Sequence, residues 1–151
     1  MANNKILYIC QQIMPYLPEN EESCLCRQLS QAMQERSNEI RTFMPRYGCV
    51  NERRNQLHEV IRLSGMNLII NDDDHQLIIK VSSIPSARIQ IYFIDNDDFF
   101  ARKAVLTSEE GKEFEDNDDR MLFFARGVLE TVKKLRQCRL HGWQRGDRHP
   151  G

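Results

Sequence analysis

The sequence predicts an α/β fold: an open, mostly parallel sheet with helices on both faces and an inserted antiparallel β-hairpin region. Three observations predict it. The chain opens with a strand–helix–strand alternation, its middle holds short extended segments parted by turn residues, and a long amphipathic helix follows. Two consecutive strands joined by a helix run parallel, with the helix packed on one face of the sheet.

Lys5-Ile6-Leu7-Tyr8-Ile9-Cys10 is a short, nearly continuous apolar run, the pattern of a strand buried on both faces. A loop with Pro15 and Pro18 follows. Asn20-Glu21-Glu22-Ser23 then has the chemistry of a helix start: Asn20 or Ser23 can cap the free amides, and the glutamates suit the positive end of the helix dipole. Leu25, Leu29, Ala32 and Met33 recur at helical spacing as far as Arg36. Glu39 to Met44 is a second strand, closed by Pro45.

From His58 to Asp95 the pattern is extended: Val60 to Leu63, Leu68 to Ile70, Leu77 to Val81, and Arg88 to Ile94. Asn71-Asp72-Asp73-Asp74 predicts a turn between two of these segments, and Pro85-Ser86 marks another. The acidic run lacks the glycine and distal glutamate of a calcium loop, so a solvated turn is expected there and not a metal. After a charged loop from Asn96 to Glu115, Asp116 or Asn117 caps a long helix with Met121, Phe124, Ala125, Val128, Val132 and Leu135 as its apolar stripe. Phe123 and Phe124 belong to the core, since no basic groove surrounds them to make a stacking platform for bases.

Composition narrows the function classes. With 151 residues, 40% of them apolar and 28% charged, the chain suits one domain with a proper core. A formal charge of -1 offers no general attraction to nucleic acid or to anionic membrane. No apolar run approaches the roughly 20 residues needed to cross a bilayer. The start lacks the layout of an export signal, and the cytoplasm is the expected compartment. Cys24-Leu25-Cys26 has no matched partner pair or spaced histidines for zinc, and residues two apart on a helix point away from each other. The cysteines are expected to be reduced thiols acting as small apolar side chains, with no metal and no cofactor.

Several blocks together resemble the glycogen and starch synthases. The first strand with Gln12-Ile13-Met14-Pro15-Tyr16 is similar to the opening strand and loop of that family. Ile40 to Gly48, through Met44-Pro45-Arg46-Tyr47, resembles the next landmark, and Ile91-Tyr92-Phe93-Ile94-Asp95-Asn96 with Phe99-Phe100-Ala101-Arg102 a third. Asp116 to Arg126 looks like the helix before the family's His-x-Trp strand end. The blocks fall in family order from about Lys5 to Leu135. The resemblance implies a Rossmann-like amino-terminal domain over residues 1–136. Enzymes of that family have two such domains and transfer glucose from ADP-glucose or UDP-glucose to an α-1,4-glucan, retaining configuration without a metal, and the resemblance implies the same ancestry here. In that family this domain supplies acceptor contacts and a glycine-rich loop, and the other domain holds most of the sugar nucleotide.

One departure bears directly on chemistry. Where the family carries Lys-x-Gly-Gly, this chain has Pro18-Glu19-Asn20-Glu21, followed by Glu22. The family's lysine offers a positive charge, its glycines admit the backbone, and the helix start favours a diphosphate. Here the cation and both glycines are gone and three carboxylates stand in their place. Two like charges ~4 Å apart repel by about 4 kcal/mol at the effective dielectric of a protein surface. Pro18, Asn20 and Glu21 are therefore expected to be a well-capped helix start and not a working diphosphate site. The last segment, 137–151, reads as a divergent or truncated tail: His141-Gly142-Trp143 matches the family's His-x-Trp, which makes His141 the nearest counterpart of a catalytic residue, but no apolar strand precedes it.

Two function classes remain. The first is the amino-terminal domain of a synthase-like glucosyltransferase, inactive by itself, whose partners are an α-1,4-glucan or a separate nucleotide-binding domain. The alternative is a non-catalytic module that holds glycogen or a subunit. An exposed face is expected where a partner would dock, so self-association is also an expectation.

Overall fold

The computed structural model describes residues 4–36, 39–84 and 88–138. Its elements are β1 (Lys5–Ile9), α1 (Glu21–Glu35), β2 (Glu39–Pro45), β3 (His58–Glu59), β4 (Asn67–Ile70), β5 (Asp73–Gln76), β6 (Ile78–Ile84), β7 (Ile89–Asp95), the short α2 (Asp97–Phe100) and the long α3 (Asn117–Cys138). Five strands form an open sheet in the order β1-β2-β7-β6-β3, and β4 with β5 makes a separate hairpin. β1, β2 and β7 run parallel, while β6 and β3 join antiparallel. The expected α/β architecture with inserted antiparallel strands is thus present.

Strand alternation puts the two long helices on opposite faces. Tyr8, Thr42, Ile91 and, by register, Met44 and Phe93 share one face. The Tyr8 hydroxyl reaches the Cys26 thiol of α1 at 3.6 Å, and Tyr16, in the loop before α1, meets Phe93 edge-on at 4.9 Å. On the other face Phe43 stacks on Tyr92 at 5.1 Å. There Gly127 of α3 lies so close to Ile94 that an added Cβ would come within 2.8 Å of its Cγ2, so the glycine sets the helix–sheet spacing. β7, buried at every position but Gln90, is the centre of the core.

Five local expectations need correction. β1 is not buried on both faces: it stands at the end of the sheet order among the described residues, and Lys5, Leu7 and Ile9 are exposed while Ile6 and Tyr8 are half-buried. Val60 to Leu63 is not a strand: β3 is just His58–Glu59, and Ile61–Leu63 forms a 3-10 turn. That turn buries Leu63 and leaves Ile61 80% exposed, and the Ser64 hydroxyl takes over as acceptor for the Ile79 amide at 2.9 Å. The acidic turn is shorter than read, because Asn71 and Asp72 alone have positive φ (52° and 67°), the two-residue hairpin geometry, while Asp73 and Asp74 lie in β5. The loop after Asp95 contains α2, capped by the Asn96 side chain. On α3, Ala125 is exposed, and Arg120 and Phe123 join Phe124 and Val128 inside. The turn expected at Pro85-Ser86 lies outside the described residues.

Candidate functional site

In open α/β sheets, ligands meet the protein beyond the carboxyl ends of the parallel strands. Here those ends carry three loops: residues 10–20 after β1, 46–57 after β2 and 96–116 after β7.

The first loop holds the residues singled out from sequence, and it is closed on itself. Asn20 is the N-cap of α1: its Oδ1 accepts from the Ser23 amide at 2.8 Å, and its own amide donates to the Ser23 Oγ at 2.9 Å, a reciprocal capping box. Ser23, fully buried, donates its hydroxyl to the Pro18 carbonyl at 2.9 Å, which ties Pro18 to the helix start. The Asn20 Nδ2 donates to Gln12 Oε1 at 2.6 Å, and Gln12 Nε2 reaches Glu22 Oε2 at 3.5 Å. Glu21 and Glu22 are exposed acids in the first turn. No lysine or arginine occurs between residues 11 and 22. The structure thus brings Pro18, Asn20 and Glu21 together, with part of the helix start's donor capacity already spent internally. His141 lies outside the described residues.

Asn20→Ala removes one side of this box. It is expected to cost about 1 kcal/mol of stability, measured by urea unfolding, with the sheet signal unchanged.

The second and third loops hold a charged cluster that sequence reasoning did not single out. Asp95, at the end of β7 and 1% exposed, lies 2.8 Å from the Arg46 Nη2 and 2.8 Å from the Lys80 Nζ. Glu52 completes it by pairing with Lys80, and the exposed Asp97 stands 3.9 Å from Arg46. Burial pulls the Lys80 ammonium down, yet hydrogen bonds to Asp95 and Glu52 outweigh it, so its pKa lies above the ordinary lysine value. The cluster clamps the antiparallel β6 to the parallel β2 and β7. Its sequence signal was a carboxylate ending an otherwise apolar strand and an arginine directly after another.

Beside it, Arg120 of α3 is fully buried. Its Nε donates to the Phe99 carbonyl and its Nη1 to the Val105 carbonyl, each at 2.7 Å, and the Nη1 also reaches Asn117 Oδ1 at 2.9 Å. Its guanidinium carbon lies 5.4 Å from the Phe100 ring centre and 5.8 Å from that of Tyr47. Burial lowers the Arg120 pKa and raises that of the Tyr47 phenol. Gly48, next along, has no room for a side chain: a Cβ there would lie 2.3 Å from the Ala101 carbonyl oxygen. Arg120 therefore anchors the loop after β7, and Gly48 lets the loop after β2 lie directly on it. Among the described residues no group of three His, Cys, Asp or Glu side chains is placed to hold a metal ion. No helix among them is long and apolar enough to cross a membrane. Cys10, Cys24, Cys26 and Cys49 are free thiols.

Comparison with known proteins gives a consistent picture. The family model described as the starch synthase catalytic domain matches residues 5–146. A glycogen synthase of Chlorobium limicola is 34% identical over 143 residues, covering 94% of this chain and 28% of its own length. The glycogen synthase of Chlorobium luteolum is 33% identical over the same coverage. This chain therefore spans little more than a quarter of the curated relatives it matches. Among solved structures, the catalytic domain of starch synthase IV from Arabidopsis thaliana, bound to ADP and acarbose, aligns with a TM-score of 0.72 at 16% identity, over 88% of this chain and 26% of that one. At that identity the likeness establishes the fold.

Proposed function

The chain belongs to the starch synthase catalytic domain family, and from that premise we propose that it is the amino-terminal portion of a cytoplasmic glucosyltransferase that cannot transfer glucose by itself. The whole reaction would move glucose from ADP-glucose or UDP-glucose to the end of an α-1,4-glucan. The observation that carries the second half of the proposal is the closed loop before α1. The helix start that would face a sugar diphosphate has its Asn20–Ser23 box bonded internally and is lined by Glu19, Glu21 and Glu22.

Chemically, this region fits a scaffold better than a reacting centre. Arg46 and Lys80 are already neutralised by Asp95 and Glu52. Arg120 spends its Nε and Nη1 donors on the Phe99 and Val105 carbonyls and the Asn117 side chain. The same observations favour the second reading, a module that holds a glucan or a second polypeptide without catalysis. Residues 1–136 form the proposed domain, and the proposed partners are an α-1,4-glucan and a nucleotide-binding domain.

Purified chain incubated with ADP-glucose or UDP-glucose and a maltooligosaccharide is expected to give no chain extension above the protein-free control. Extension at the rate of a full-length synthase would overturn the proposal. Retention on immobilised glycogen without extension would select the second reading.

A further inference from the structure

We draw no further inference here: the strongest candidate, the Tyr47 hydroxyl and the Arg120 Nη2 that lie without a hydrogen-bond partner among the described residues where α3 meets the loops after β2 and β7, carries nothing because both groups are fully buried and nothing in the structure says what would reach them.

Discussion

Asp95→Asn is expected to lower the unfolding free energy by about 3–5 kcal/mol, the usual loss when one partner of a buried ion cluster is removed. The carboxylate is 1% exposed and faces both Arg46 and Lys80, so its loss strands two poorly solvated cations around a neutral amide. Glu52 can compensate Lys80, with which it already pairs, but it stands 4.0 Å from the Arg46 Nε. The damage should therefore centre on Arg46. Urea unfolding of the two proteins, compared at equal slope, is the measurement. A loss below about 1 kcal/mol would mean that the cluster behaves as an ordinary surface network.

Arg120→Met is the second large effect, expected at about 3 kcal/mol or more. Methionine roughly fills the space but leaves the Phe99 and Val105 carbonyls and the Asn117 side chain without their donor. Each unmet buried acceptor costs about 1–3 kcal/mol. Arg120→Lys keeps the charge and should still lose roughly half as much, because an ammonium cannot serve the fork of acceptors that a planar guanidinium does. Equal stability of Arg120→Lys and wild type, by thermal or urea unfolding, would show that charge and not fork geometry matters there.

The parts of this fold that were legible in the sequence are those set by periodicity and local capping. The apolar run of β1, the Asn20 cap of α1, and β2 ending at Pro45 all lie where the residues put them. The loop holding Pro18, Asn20 and Glu21 was legible for the same reason, since a capping box is made from neighbours. What could not be read depends on partners far along the chain. Val60 to Leu63 reads as extended until Leu63 must enter the core and Ser64 replaces a strand amide's partner. Asp95 and Arg46 look like ordinary charges flanking strands until β6 brings Lys80 between them and Glu52. Arg120 sits in a helical first turn, where an arginine is normally solvated. Its burial follows from the loop after β7 folding back over it, for which no short-range pattern exists.

The self-closed loop before α1 has a thermodynamic corollary. A ligand stabilises a fold by mass action only through sites it fills in the native state, and a helix start that bonds itself leaves a diphosphate little to contribute. Under the proposed reading, the amount of folded chain in a cell is then set by the polypeptide and by what its glucan and protein partners contribute. It does not rise and fall with the sugar-nucleotide pool, as it would for a relative whose loop waits open for its anion.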